Sequence, residues 1–214
     1  MKNILLKIIN TLALIILTFS TYSQINYEGS LLVTGYYGFP NFGKSLFTET
    51  GSSASTKTTG LSPSGIKGEY FVTDQVAIGF DFIYNTTRTK SEVSNSVYDS
   101  ITYVYNTTIS HEERLMQRIR FMARLNIHFE TSNSNLDPYF GIGIGTNNRY
   151  RKFWIDGVRQ SGPYYEGTNS TTFLPFSMRL CTGLNYFFTP KIGMTVEAGL
   201  GGPLMSVGLS IKIK

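Results

Sequence analysis

At 214 residues the chain has room for one large domain or two small ones; 41% of it is hydrophobic, 14% aromatic and 15% charged, a charged share well under the usual quarter or so of a soluble protein. The formal charge of +5 includes Lys2 and Lys7 of a leader-like segment; without them 17 basic groups face 14 acidic ones with no Lys/Arg cluster, which excludes a nucleic-acid footprint. A single cysteine, Cys181, excludes an intrachain disulfide and a cysteine zinc cluster.

Residues 1–23 run from Lys2 and Lys7 through an apolar stretch near Leu12 to Phe19 into small and polar residues, the order of a cleaved secretory signal. Asn10 and Thr11 interrupt the run, which falls short of the ~20 apolar residues of a spanning helix. Cleavage after Ser23 leaves Gln24 first, with no cysteine nearby for a lipid anchor, and residues 24–214 form the mature domain. No later stretch is long and apolar enough for a membrane helix, so a membrane role has to use strands.

The mature chain alternates with period two, the signature of strands with two unlike faces. Ser30 to Phe39 is a first strand, with Leu31, Val33 and Tyr37 on one face, followed by a Ser/Thr/Gly-rich loop over Asn41 to Gly60. Ile66 to Val72 is a second strand and Thr73-Asp74-Gln75 a tight turn. Val76 to Tyr84 is the third, with Val76, Ile78, Phe80, Phe82 and Tyr84 set against Ala77, Gly79 and Asp81. A polar region then runs to about Ser110, read as a loop or as a hairpin extending the strands above a membrane, since Ile101 to Tyr105 also alternates.

Arg114 to Phe129 is the fourth strand and the most informative stretch. Its odd positions are apolar in all but one case, and its even ones carry Arg118, Arg120, Arg124 and His128. A helix competes here through a capping box at Ser110 to Glu113, but a helical stripe would strand Phe121, Leu125 and Phe129 on other faces. Pro138 to Thr146 is the fifth strand, and Asn147 to Ser170 a long loop carrying Phe153, Trp154, Tyr164 and Tyr165. Phe173 to Phe188, Ile192 to Leu200 and Met205 to the end are the last three strands, joined by the turns at Thr189-Pro190 and Gly201-Gly202-Pro203.

Eight strands of about nine to eleven residues match tilted membrane crossings, and short and long connections alternate as periplasmic turns and external loops do, except that the connection after the seventh strand is also short. A secreted lipocalin-like barrel is the competing architecture, with the apolar face turned inward. The glycines crowding the polar face (Gly79, Gly141, Gly143, Gly183, Gly193, Gly199, Gly208) and its few charges favour the apolar face outward. The expected fold is therefore all-β, an eight-stranded antiparallel up-and-down transmembrane β-barrel with a filled polar lumen.

The segments GIKGEYFVTDQVAIGFDFIY from Gly65, PYFGIGIG from Pro138 and LNYFFTPKIGMTVEAGLG from Leu184 resemble the small outer-membrane β-barrel domain proteins of Gram-negative bacteria, the OmpX-like and PorT-like barrels. The resemblance rests on strand-and-turn texture across the mature chain; such barrels often end in an aromatic, whereas this sequence ends Ile213-Lys214. It implies export to the outer membrane, contact with outer-membrane lipids and insertion by the barrel-assembly machinery. It names no surface ligand.

With lipid outside, Lys67, Glu69, Asp81, Arg118, Arg120, Arg124, His128, Arg179, Glu197 and Lys212 point into the lumen, where they have to pair or hold water. Glu197 and Arg179 lie on strands joined by a tight turn and are expected neighbours. The expectation is a charge network that fills the barrel, with an arginine-lined anion path as its rival. Phe153, Trp154, Tyr164 and Tyr165 serve an interfacial belt or an adhesive surface. No residue set supports a catalytic, metal or cofactor site: the Ser110/His111 pair has no partner carboxylate placed by spacing, and no cofactor is expected. The expected role is non-enzymatic, structural or surface-interacting through external loops; a small transport or secretion-accessory barrel and a lipid A-modifying enzyme are the alternatives.

Overall fold

The structure, a computed structural model, describes residues 27–41, 56–99, 103–162 and 176–213. The expected leader over 1–23 and the aromatics Tyr164 and Tyr165 lie outside the described residues.

The alternating segments become strands β1 (Leu31–Phe39), β3 (Ser64–Phe71), β4 (Val76–Asp99), β5 (Val104–His128), β6 (Leu136–Ile155), β8 (Phe176–Phe187), β9 (Ile192–Leu200) and β10 (Met205–Lys212), with short strands β2 (Lys57–Thr59) and β7 (Val158–Gln160) between them. Each of the eight long strands pairs antiparallel with its neighbours along the chain, and β10 pairs with β1 to close the ring. Closure leaves no unpaired edge within the wall, the condition for strands in hydrocarbon. One row of directly opposed residues shows the tilt. It runs Leu31, Tyr70, Ile78, Leu125, Ile142, Leu180, Leu200. Leu31 begins β1 at the short-turn end and Leu200 ends β9 at the other, so the row climbs the barrel as tilted strands require.

Burial decides which face is inside. Phe121, Ile144 and Leu209 are 54%, 57% and 64% exposed, whereas Lys67 and Asp81 are 2% and 0% exposed. A water-soluble barrel inverts that distribution, so the apolar wall faces hydrocarbon and the polar phase fills the interior. Buried apolar side chains are few: Leu32, Phe71, Ala77 and Phe187 cluster together, and Tyr36, Ile83 and Met122 form a second group.

In one segment the structure takes one of the two sequence readings, the hairpin, and in another it departs from the expectation. The polar region after Tyr84 is continuous hairpin: β4 and β5 stay paired from Val76–Ile127 to Asp99–Val104. Tyr103 occupies a turn with a φ of 55° directly before β5, and Ile101 and Thr102 lie outside the described residues. The stretch 147–155, expected as loop, continues β6 and folds back through Asp156-Gly157 onto β7. Apolar alternation ends where lipid ends. Beyond it both faces are wet, and only the density of Thr, Val, Ile and Tyr marks the strand.

Candidate functional site

The lumen is built by the polar phase of all eight barrel strands. β3 and β4 place Lys67 directly opposite Asp81, and β5 places Arg124 opposite Gly79 and Gly143; its guanidinium lies over Gly141, where a Cβ would stand 3.0 Å from Nη2. Glu197 on β9 is the hub. Its Oε2 accepts from Arg124 Nη2 at 2.8 Å, Lys67 Nζ at 3.0 Å and the Tyr139 hydroxyl at 2.6 Å, while Oε1 accepts from Arg179 Nε at 3.1 Å and also from Nη2. Asp81 is the second acceptor, taking Arg124 Nη1 at 3.2 Å and the hydroxyl of Tyr36.

Below this layer His128 stands between two carboxylates, with Nδ1 2.7 Å from Asp137 and Nε2 3.5 Å from Glu69; Lys67 Nζ reaches Glu69 at 3.5 Å. Asn185 donates to Asp137 at 2.8 Å, and Thr195, Ser210 and Thr34 carry the hydrogen bonds on to β10 and β1. Cys181, buried beside Arg124, accepts from its Nη2 at 3.0 Å. Each ion thus has more than one charged or hydrogen-bonding neighbour, although Glu69 meets Lys67 and His128 only at 3.5 Å, with neither oxygen hydrogen-bonded.

Three of the expected lumen residues stand apart from this cluster. Arg120 donates to the Gly201 carbonyl at 2.7 Å and to Asn85, clasping the β9–β10 turn. Arg118 is not in the closed lumen: it is half-buried at the mouth, donates to Asn147 at 2.6 Å and lies opposite Arg149, because the wall at its level has already risen past the apolar belt. Lys212 points inward at the opposite end, its Nζ 5.0 Å from the Tyr27 ring. Sequence reasoning missed Tyr36, Tyr139, Asn126 and Asp137. All four sit on the polar phase of their strands, so phase was the available signal.

Above the belt, β4 and β5 continue with β6, and β2 and β7 add to the two sides, making an external sheet in the order β2-β4-β5-β6-β7. Phe153 is buried under Arg114, whose guanidinium carbon lies 5.1 Å from the ring, and Trp154 is half-buried on the opposite face. Neighbouring positions on a strand face opposite ways, so Ser110 and His111 are divided between the two faces. Ser110 Oγ donates to the Val93 carbonyl, and His111 lies 3.8 Å from Glu92. That arrangement makes no nucleophile–base pair.

In the comparisons with known proteins, no curated protein matched the chain. Among solved structures it is similar to the N-terminal β-barrel domain of Pseudomonas aeruginosa OprF (14% identity, TM-score 0.45, covering 88% of this chain and 100% of that one). It is also similar to OprG from the same organism (11% identity, TM-score 0.39, 89% and 92%) and to Ail, the attachment invasion locus protein of Yersinia pestis (13%, 0.37, 86% and 95%). The family model for the outer membrane protein beta-barrel domain matches residues 11–202. The chain belongs to the outer membrane protein beta-barrel domain family and is a protein of the cell outer membrane.

Proposed function

We propose that this barrel is a non-enzymatic surface-interaction protein whose external sheet is its working part and whose lumen is closed by its charge cluster. The observation that carries the reading is the length of β4 and β5. At 24 and 25 residues they run far beyond the roughly 9–11 residues of a membrane crossing, so well over half of this hairpin stands outside the bilayer. A barrel needing only a membrane anchor has no use for so long a paired ribbon. Its tip exposes Tyr103, Tyr105 and Ile109, at 78%, 68% and 60%, residue types suited to contact with a partner. The reading includes export by the leader over 1–23 and insertion by the barrel-assembly machinery.

Joining Ser91 to Glu112, which face each other across the hairpin, by an Asn-Gly turn removes the distal ribbon and leaves the wall intact. The shortened protein is expected to migrate as a heat-modifiable barrel like the full chain. Cells displaying the full chain are expected to adhere to protein- and polysaccharide-coated surfaces better than cells displaying the shortened one, and equal adhesion contradicts the reading. In planar bilayers the full chain is expected to give no steady single-channel openings. Regular openings would favour a transport role instead.

A further inference from the structure

Directly above the lipid-facing wall, the same face of the sheet changes character. On β4 and β5 the apolar rows end at Tyr84 and Ile119, where Gln117 Nε2 donates to the Tyr84 hydroxyl at 2.9 Å. Four residues further along β4, about 14 Å of strand, comes Arg88, flanked by Leu115 and then Lys152. The next row on that face runs Lys57, Lys90, Glu113, Trp154 and Arg159 across all five strands. Five cations (Lys57, Arg88, Lys90, Lys152 and Arg159) thus share the face with Glu113 and, one row higher, Glu92.

Two features mark this as a surface arranged around an anion. Lys57 and Lys90 are directly opposed across β2 and β4, a like-charge pairing that costs stability when nothing lies between the ammonium groups. Glu113 bridges both Arg88, at 2.8 Å, and Lys90, at 3.2 Å, so its single charge is divided between two cations. Lys57, Arg88, Lys90 and Glu113 border a depression of about 630 Å³ that also takes in His111 and Trp154. The side chains are partly exposed, Arg88 by 47% and Lys90 by 59%, and their apolar stems allow the charged heads to bend back toward the bilayer.

We infer that this face binds the phosphate-bearing headgroups of outer-leaflet glycolipids packed against the barrel. The occupant is a lipid because the face continues the wall that hydrocarbon already covers: a lipid lying along Phe82, Phe121 and Ile144 has its headgroup beneath Arg88 and Lys152. The aromatic Tyr84, Tyr150 and Trp154 rise on the same face, as at other lipid–water boundaries. The inference rests on the orientation of the barrel in the membrane and not on the adhesive role of the hairpin tip.

The test uses the refolded full-length mature barrel in phosphatidylcholine vesicles carrying either a bisphosphorylated lipid A or the same glycolipid with its phosphates removed, and measures glycolipid retained on the protein after mild detergent extraction. Wild-type protein is expected to retain the phosphorylated form at least tenfold better, with roughly a fivefold loss for each cation removed in the series Lys57→Gln, Arg88→Gln and Lys90→Gln. Glu113→Gln, which frees Arg88 and Lys90, is expected to raise retention. Arg114→Gln with Arg151→Gln, on the opposite face, is expected to leave it unchanged, all variants remaining heat-modifiable. Retention indifferent to the phosphates, or equal in wild type and the triple variant, overturns the inference. So does displacement of the glycolipid by a soluble sulfated polysaccharide at matched charge, which would make a free polyanion the occupant. The shortened hairpin loses Glu92 and His111 from the depression but keeps all five cations, so that barrel is expected to retain the glycolipid even if it has lost adhesion.

Discussion

Glu197→Gln is expected to destabilise the folded barrel by about 3–5 kcal/mol, the cost of removing one partner from a buried ionic cluster. The substitution keeps size and shape and removes only the charge. It leaves Lys67, Arg124 and Arg179 converging on a neutral amide, whose nitrogen has to point at one of them as a fellow donor. Asp81 and Glu69 still offset part of the excess, through Arg124 at 3.2 Å and Lys67 at 3.5 Å, which keeps the loss within that range. The urea midpoint of folding into lipid vesicles checks it. An unchanged midpoint would mean that the lumen is wet enough to screen the three cations. Glu113→Gln is the matched control on the external sheet, where solvent screens the bridges to Arg88 and Lys90 and a loss of no more than about 1 kcal/mol is expected.

Gly183→Val acts on the same cluster without touching a charge. Tyr139 lies across Gly183 from the neighbouring strand, and a Cβ built at 183 would stand 2.3 Å from its Cζ and 2.4 Å from its hydroxyl. A side chain at that position evicts the ring, which is fully buried and holds both Lys67 and Glu197 through its hydroxyl. Overpacking and the two broken hydrogen bonds together are expected to cost about 3 kcal/mol. Tyr139→Phe separates the two contributions, because it breaks the hydrogen bonds and keeps the ring. It is expected to lose about half as much in the same unfolding measurement. A Gly183→Val barrel as stable as the wild type would show that Tyr139 has somewhere else to go.

The wall of the barrel was legible because lipid writes a strict code. Phe80, Phe82, Phe121, Ile142, Ile144, Met194 and Leu209 repeat every second residue, and the residues between them are glycine, polar or charged. Phase also assigned Lys67, Glu69, Asp81, Arg124, His128, Arg179 and Glu197 to a common side. Which of these meet was legible only for Arg179 and Glu197, whose strands share a short turn. Lys67 and Glu197 are separated by 130 positions and come together through the closure of β1 on β10 and the tilt of the wall, neither of which is encoded locally. Tilt also explains Arg118, which has the correct phase but sits above the closed lumen. The external sheet was legible only as a hairpin alternative after Tyr84, and its extension over 147–155 not at all, for the opposite reason. Between Thr86 and Gln117 neither face meets hydrocarbon, so alternation gives way to a polar, Thr-rich ribbon that reads as loop or as hairpin.

One measurement bears most directly on the orientation of the wall. The chain has a single tryptophan, Trp154, so Trp154→Phe provides a silent background into which one reporter is introduced at a time, Phe121→Trp on the outer face or Met122→Trp on the inner one. In vesicles of lipid brominated along its acyl chains, the indole at 121 is expected to be strongly quenched and to resist aqueous acrylamide, and the indole at 122 to be much less quenched by the lipid. Strong bromolipid quenching at 122 with none at 121 would turn the barrel inside out, and the charge cluster would then have to face hydrocarbon.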